Sequence, residues 1–262
     1  MPGGRLPEFL DDQVFYADMI DSLASGRATI LSSGPMGVLL LTENGTHMVA
    51  ALNPSAAEEL VETMAAGWSA SPLVVAHDEF SATILGELYG FDRVTPCWSS
   101  ALVGQAPAPI ERADLHIETL GQEWSSTIAE LYWMDDLAYV CERIDARVML
   151  GAFRGDTLLG FVGRHQEGAI GMLEVLPEHR RQGVAEYLMT HLIDQIINEG
   201  RTPYDHIIVG NQASVALQLK LGFTISQRVL RWMSELSPLA PRETDDRDSD
   251  GTPGDHFTDL LR

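Results

Sequence analysis

Residues 175–185 read Val-Leu-Pro-Glu-His-Arg-Arg-Gln-Gly-Val-Ala and join a buried apolar segment to an amphipathic one through a basic turn. Backbone N–H groups at the start of a helix are unpaired donors, and they lie at the positive end of the helix dipole, so they favour an anion. Gly183 lacks a Cβ that would collide with a phosphate packed against the backbone, and Ala185 is nearly as small. The stretch therefore predicts a strand, a phosphate-binding turn and a helix.

The segments on either side of this turn support that prediction. Apolar residues recur at helical spacing after it, at Val184, Leu188, Met189, Leu192, Ile193, Ile196 and Ile197. Gly200 and Pro203 are expected to end the helix. Before the turn, the run from Ala169 to Leu176 is mostly apolar without a helical period, which is typical of a strand covered on both faces.

The turn also resembles the cofactor-binding motif of the GNAT acyltransferase superfamily, which has Arg or Gln, two residues, Gly, one residue, then Gly or Ala. Arg180, Gly183 and Ala185 occupy these positions. Residues 211–223, which end in Gly-Phe, resemble the late helix of that family and the start of its next strand. The resemblance covers residues 113–236 and implies a mixed α/β (α+β) fold, a twisted sheet flanked by helices.

The proline-containing stretch at residues 106–112 is expected to link two domains. We expect a degenerate GNAT-like half at residues 1–105, an acyl-CoA-binding GNAT domain at 113–236, and an acidic, disordered tail at 237–262. Within the second domain the pattern predicts a strand at 115–120, helices from 123 to about 147, and strands at 148–153 and 157–164.

The first half contains a faint internal repeat, because residues 73–91 resemble residues 207–223 and both segments end in Gly-Phe. Where a phosphate turn would fall, Asn53 and Pro54 instead begin a capped acidic helix that would repel a pyrophosphate. We expect this half to help shape the acceptor site. Tandem halves of this kind resemble the glycine N-acyltransferase-like branch of the superfamily. An unrelated α+β domain is the alternative.

Charge limits the classes of partner. The chain has 17 Lys and Arg against 38 Asp and Glu, a net charge of −21, which opposes binding to nucleic acid or to an anionic membrane. The adjacent Arg180 and Arg181 are unusual in such a chain and favour a phosphate-rich ligand, the alternative being a solvated basic turn. With 262 residues and 45% hydrophobic content, the chain can form one large or two modest cores.

No apolar run is long enough to span a bilayer, and residues 1–7 contain no signal core, so a cytoplasmic location is expected. Cys97 and Cys141 have no second cysteine at ligand spacing, which predicts two reduced cysteines and no metal site. A nucleophilic role for Cys141 is the less favoured alternative. Apolar residues from Phe257 to Leu261 end the tail, and their docking on a second copy leaves a homodimer open.

The resemblance implies that an acetyl or longer acyl group moves from acyl-CoA to a primary amine of a small molecule or amino acid, by direct attack in a ternary complex. The amine must lose a proton, a backbone N–H near Leu173 to Val175 must stabilise the thioester oxygen, and the thiolate must be protonated. The residues implied to bind the cofactor are Leu173, Val175, Arg180, Arg181, Gln182, Gly183, Val184, Ala185, Asn211 and Ser214.

The chain departs from the family at two catalytic positions. Ala169 stands where several members carry a glutamate base, and Gln218 stands where many carry the tyrosine that protonates the thiolate. Glu174 and His206 are the candidate bases, against the alternatives of an acid paired with an arginine and a solvent-facing histidine.

Aromatic residues complete the candidate site. Tyr187 and Tyr204 are substitute thiolate donors or ordinary packing residues. The acceptor region is expected to contain Trp124, Tyr132, Trp133 and Met134, with Asp135 and Asp136 relevant if the acceptor is cationic. A non-catalytic acyl-CoA sensor and a protein N-terminal or lysine acetyltransferase remain alternative functions.

Overall fold

A computed structural model describes residues 10–68, 72–132 and 136–236 of the chain. The strands are β1 (Ala28–Gly34), β2 (Gly37–Thr42), β3 (Thr46–Ala51), β4 (Leu73–Ala76), β5 (Phe91–Ala101), β6 (His116–Thr119), β7 (Leu150–Arg154), β8 (Thr157–Arg164), β9 (Ile170–Val175), β10 (Tyr204–Ile208) and β11 (Thr224–Leu236). The α-helices are α1 (Ala17–Ala24), α2 (Pro54–Ala65), α3 (Glu79–Tyr89), α4 (Ser125–Leu131), α5 (Leu137–Asp145), α6 (Val184–Asn198) and α7 (Gln212–Lys220).

These strands form a single sheet in the order β1-β2-β3-β4-β11-β5-β10-β9-β8-β7-β6. The pairs β3-β4 and β9-β10 are parallel, and the other neighbouring pairs are antiparallel. The predicted strands of the second half correspond to β6, β7, β8 and β9, and the long helix after the basic turn is α6. The mixed sheet flanked by helices that the sequence predicted is therefore confirmed.

The order of elements repeats along the chain. A helix, three strands, a helix, a strand, a helix and a strand occur from α1 to β5 and again from α5 to β11. The repeated segments at 73–91 and 207–223 form equivalent strand-helix-strand units. Asp78 and Asn211 cap their helices by accepting hydrogen bonds from Ser81 N and Ser214 N. The similarity of the two segments therefore reflects a shared local structure.

The last strand of each half pairs with strands of the other half. β5, from the first half, lies between β11 and β10, and β11 lies between β4 and β5. Ser99 on β5 is opposite His206 on β10, while Val75 on β4 is opposite Trp232 on β11. Since the sheet continues through both halves, the boundaries at residues 105 and 113 remain a prediction.

Helices cover both faces of the sheet. Side chains of α1 pack with Val38 and Leu40, whereas α2 and α3 pack with Leu39 from the opposite face of the same strand. In the second half, α4 and α5 pack on Phe161, and α6 packs on Val162. We call the two sides of the sheet the α1 face and the α6 face.

The predicted helix after β3 is present, and Asn53 Oδ1 caps it by accepting a hydrogen bond from Ala56 N at 2.9 Å. Cys97 and Cys141 are both free. Across the three described ranges, no helix has the length and apolar character needed to cross a membrane. Trp133, Met134, Asp135 and the tail at 237–262 lie outside the described residues.

The exchanged strand β11 should contribute strongly to stability. Leu230 on β11 is fully buried in the cluster under α1, opposite Cys97 on β5. We expect Leu230→Ala to lower the free energy of unfolding by about 2–5 kcal/mol, because it leaves a cavity at this junction. Chemical denaturation measures the change, and Gln227→Ala, at an exposed position of the same strand, is the control. A loss no larger than that of the control would contradict this role for β11.

Candidate active site

The basic turn between β9 and α6 has an unusual backbone. Residues Pro177–His179 form a short 3-10 helix, Arg180 is extended, and both Arg181 (φ 62°) and Gly183 (φ 80°) are left-handed. Gly183 is the N-cap of α6, and no side chain caps that helix. Within the part of the chain that the structure describes, the backbone N–H groups of residues 181–186 donate no hydrogen bond. Such a cluster of unpaired N–H groups is a typical anion-binding arrangement.

The space in front of this turn is open. A Cβ added to Gly183 would have Arg112 Nη1 as its nearest neighbour, at 3.7 Å. Glycine is therefore required here for its left-handed backbone, and the room beside it is not filled by the protein.

Arg112 is a cation at the turn that sequence reasoning missed. Its Nη1 donates to Gln182 O at 3.1 Å, and its Nε and Nη2 donate to Asp114 at 2.9 and 3.0 Å. These hydrogen bonds, with one from Arg154, hold the pKa of the exposed Asp114 at about 2. Arg112 lies 70 residues before its contact in the turn, in the predicted linker, and no local motif marks it.

The side chain of Arg180 folds back onto β9. Its Nε donates to Val175 O at 2.9 Å, and its Nη2 donates to Glu174 Oε1 at 2.8 Å. Gln182 likewise bonds within the turn, from Nε2 to Glu178 O at 2.9 Å. In this arrangement both predicted cofactor-binding side chains support the turn. Arg181, the third polar side chain predicted there, is exposed.

β9 leaves an opening beside its last residues. Its only registered partner on β10 is Asp205, opposite Ile170, so the two parallel strands separate toward the turn. The register with β8 shifts between Phe161 and Gly163, and Met172 has a left-handed backbone (φ 51°). Strain of this kind in a non-glycine residue, together with an irregular ladder, is often associated with functional sites.

The remaining predicted cofactor residues surround this opening. Leu173 and Val175 are half-buried and pack against the core under α6, and Val184 is buried in that core. Ala185 follows in the first turn of α6. Asn211 caps α7 just after β10 by accepting a hydrogen bond from Ser214 N at 3.1 Å.

Glu174, the first candidate base, is an ion-paired carboxylate. Its side chain is 29% exposed and pairs with Arg180 at 2.8 Å. This is the alternative that the sequence left open, an acid paired with an arginine. Glu174 would have to leave that pair to accept a proton from a substrate.

His206, the second candidate base, belongs to a buried polar cluster under α1. Its Nδ1 accepts a hydrogen bond from Trp232 Nε1 at 3.0 Å, and its Nε2 lies 3.6 Å from Asp18 Oδ2. His77 Nε2 contacts the other Asp18 oxygen at 2.9 Å. Burial lowers the pKa of His206 to about 4, and its side chain is only 5% exposed. His206 is therefore neither solvent-facing nor open to an acceptor.

Gln218 takes the place of the family's tyrosine and is buried against Asp205. Burial raises the pKa of Asp205 to about 8, in spite of the hydrogen bond from Gln218. Among the described residues, Asp205 Oδ1 and Gln218 Oε1 have no hydrogen-bond partner, although both atoms are buried. The pair lies on the α6 face, where burial favours the neutral acid.

The substitute thiolate donors are engaged in packing. Tyr187 Oη donates to Leu115 O at 3.3 Å, and Tyr204 Oη donates to Glu167 O at 2.8 Å. Both rings are buried, which corresponds to the ordinary alternative for both residues. Among the described residues, no group of three His, Cys, Asp or Glu side chains is placed to hold a metal ion.

Comparison with known proteins agrees with this architecture. Residues 149–233 match the family model described as "FR47-like protein". The comparison with curated proteins found no match.

Solved structures show the same fold. A Drosophila protein aligns with a TM-score of 0.63 and 22% identity, over 78% of this chain and 75% of its own. A GNAT-family protein from Novosphingobium aromaticivorans aligns with a TM-score of 0.56 and 18% identity, over 87% and 98%. A GCN5-related N-acetyltransferase-like protein from Streptococcus suis aligns with a TM-score of 0.53 and 13% identity, over 85% and 96%. The GNAT fold predicted from the motifs is thereby confirmed, and the match to the FR47-like family model lies within the second half.

The raised pKa of Asp205 predicts a pH-dependent stability. Because the folded pKa of about 8 lies above the ordinary aspartate value of 3.8, the folded state binds the proton more tightly, and this contribution is lost as pH rises from about 4 toward 8. Asp205→Asn imitates the protonated acid and should remove that loss. Its free energy of unfolding relative to wild type should therefore rise by a few kcal/mol between about pH 5 and about pH 9.

Chemical denaturation across this range measures the difference between the two proteins. Asp156→Asn, at an exposed turn position, is the control and should keep a constant difference from wild type. A constant difference for Asp205→Asn as well would show that Asp205 is not a protonated buried acid.

Proposed function

We propose that the chain is an acyl-CoA-dependent N-acyltransferase that acylates a primary amine of a small molecule or amino acid. The observation that carries this proposal is the uncapped start of α6, where unpaired N–H groups and the left-handed Gly183 adjoin an open space. A pyrophosphate needs such donors, and the helix dipole adds to them. In a chain with a net charge of −21, a local anion site is also a distinct feature.

Charged side chains near the turn support the same ligand. Arg112 lies beside Gly183, Arg181 is exposed on the turn, and Arg180 braces the end of β9. We propose that acetyl-CoA or a longer acyl-CoA is the co-substrate, with its pyrophosphate on residues 181–186. The rest of the cofactor would run along Leu173 and Val175 toward Asn211 and Ser214.

The opening between β9 and β10 supports direct attack on the thioester. Met172 and Leu173 have no registered partner on either neighbouring strand, which leaves backbone groups available at this point. A fixed N–H donor there would stabilise the thioester oxygen as charge develops on it. No covalent enzyme intermediate is needed if the amine attacks the thioester in a ternary complex.

The acceptor site would lie between the two halves. A cavity of about 340 Å³ is lined by residues of the first half, among them Arg27 and Asn44, and of the second, among them Arg143 and Glu167. Its mixture of charges suits a small polar amine. A pocket of this kind favours a small molecule over a protein N-terminus or lysine, which would require an open groove.

A second candidate function is a non-catalytic acyl-CoA sensor. Gln218 in place of the thiolate-protonating tyrosine and the pairing of Glu174 with Arg180 both favour it. Both functions need the phosphate turn, so binding alone does not separate them, but turnover does. A cytoplasmic location and a homodimer remain predictions.

Substitution of Gly183 tests the phosphate turn. We expect Gly183→Asp to abolish CoA binding through steric clash and charge repulsion, and Gly183→Ala to weaken it by about tenfold or more, equivalent to about 1.4 kcal/mol. Isothermal titration calorimetry with CoA measures both. The matched control is Gly155→Ala, which also has a positive φ (56°) and open space around it.

The two alanine variants should lose similar stability, about 1–2 kcal/mol for a left-handed residue, while only Gly183→Ala should lose CoA affinity. Unchanged affinity in Gly183→Asp would overturn the phosphate-turn assignment and both candidate functions with it.

Release of CoA from acetyl-CoA tests the activity itself. Purified protein is incubated with pools of amino acids, polyamines or aminoglycosides, and free thiol is followed over time. We expect release that depends on one pool and disappears in Gly183→Asp. Tight CoA binding without release from acetyl-CoA or a longer acyl-CoA would favour the sensor.

A further inference from the structure

We propose that His165 is the general base of this site, the group that takes the proton from the acceptor amine. This inference rests on the proposed acyltransferase function. The residue lies just after β8, on the turn that leads into β9, and its N–H donates to Ala169 O at 2.9 Å. His165 is therefore paired with Ala169, the position where several members of the family that the motif resembles carry a glutamate base.

The imidazole lies against the backbone of β9. A Cβ built on Gly171 would be 2.3 Å from His165 Nε2 and 2.4 Å from Cδ2, so the ring occupies the space that any side chain at Gly171 would need. Gly171 does not have a positive φ, and its backbone does not require glycine. The residue is followed immediately by the left-handed Met172, at the start of the opening between β9 and β10.

The other ring nitrogen is held in place. Tyr139 Oη, from α5, lies 2.8 Å from His165 Nδ1, and the same hydroxyl accepts a hydrogen bond from Gln166 N at 3.3 Å. A hydroxyl can accept a hydrogen bond from Nδ1–H, which leaves the lone pair on Nε2. Within the described ranges Nε2 makes no hydrogen bond, and the His165 side chain as a whole is partly exposed.

The competing bases are less well placed. Glu174 forms an ion pair with Arg180, and His206 is buried between Trp232 and Asp18. Ala169 has no titratable group. His165, in contrast, is partly exposed and contacts β9 at Gly171.

His165 Nε2 takes one proton from the ammonium group, and the resulting amine attacks the thioester carbon. The carbon–nitrogen bond forms, the carbon–sulfur bond breaks, and CoA leaves as the thiolate. The thiolate takes the proton that the attacking nitrogen loses, and the imidazolium releases its proton to water. The products are the amide, CoA thiol and one proton.

The titratable groups around His165 define what a pH profile would report. Tyr139 contacts it from α5, Glu167 interacts with it from the same turn, and His206 interacts with it from β10. Asp18 on α1 pairs with His206 and so reaches His165 through that histidine. The acidic limb of the pH–rate profile is assigned to His165 if it is lost in a His165 variant and is kept in variants of these neighbours.

The first test compares His165→Gln with wild type, with the amine that supports CoA release in the pool assay as the substrate. We expect kcat to fall about 10²–10⁴-fold, with acetyl-CoA affinity by calorimetry unchanged and the acidic limb of the pH–rate profile lost. Tyr139→Phe should move that limb and lower kcat less, since Tyr139 is a positioning residue. A kcat of His165→Gln within about threefold of wild type would overturn the proposal.

A second test does not alter the histidine. Gly171→Ala inserts a methyl group where the ring lies, and it should lower kcat without loss of CoA affinity, whereas Gly86→Ala, at an open helix position, should not change kcat. Normal turnover in Gly171→Ala would also contradict the proposal. If wild type binds CoA but acylates no amine, the proposed function fails and His165 has no such role. Active wild type with active His165 variants overturns this inference alone.

Discussion

The antiparallel pairing of β5 with β11 is the interaction on which the rest of the molecule depends. The register runs from Ala101 opposite Thr224 to Phe91 opposite Leu236, along both last strands. Because each strand continues the sheet of the other half, neither half completes its sheet alone. The first half is therefore part of the structural support of β10 and, through β10, of the opening beside β9.

Polar groups buried under α1 add a second connection between the halves. Asp18 and His77 come from the first half and His206 from the second, and all three are nearly inaccessible to solvent. Burial alone would raise the pKa of Asp18, but the charge and hydrogen bond of His77 and the charge of His206 outweigh it, so the pKa is lowered. Arg201 likewise joins the loop before β10 to Asp21 at 2.7 Å. A buried charge that loses its partner is strongly destabilising, so these pairs favour the arrangement of the halves that keeps them together.

The candidate site uses both faces of this sheet. The basic turn and α6 lie on one side of β9, while His165 and Tyr139 lie on the α1 face. The two strands β9 and β10, which are paired only at Ile170 and Asp205 in the described structure, lie between these groups. In the proposed reaction, such a division would hold the acyl donor and the amine on opposite sides of the sheet until the reacting atoms meet.

Much of the fold could be predicted from the sequence. Strand and helix periods depend on neighbouring residues, so β6 to β9 and α6 are marked locally, and Gly183 with Ala185 marks the turn. The repeat of 73–91 and 207–223 was visible for the same reason. Ala169 and Gln218 could also be recognised as departures from the family pattern, because their positions follow from their distance along the chain to the motifs.

The sequence by itself thus determined the class of fold and the position of the basic turn before α6, and it predicted an anion site there. Only the tertiary structure decided which distant groups meet: the exchange of β5 and β11, Arg112 beside Gly183, the enclosure of His206, and His165 against Gly171. The physical reason is that local patterns report burial and backbone conformation. Contacts between residues far apart in the chain depend on sheet order and register, which short-range patterns do not specify.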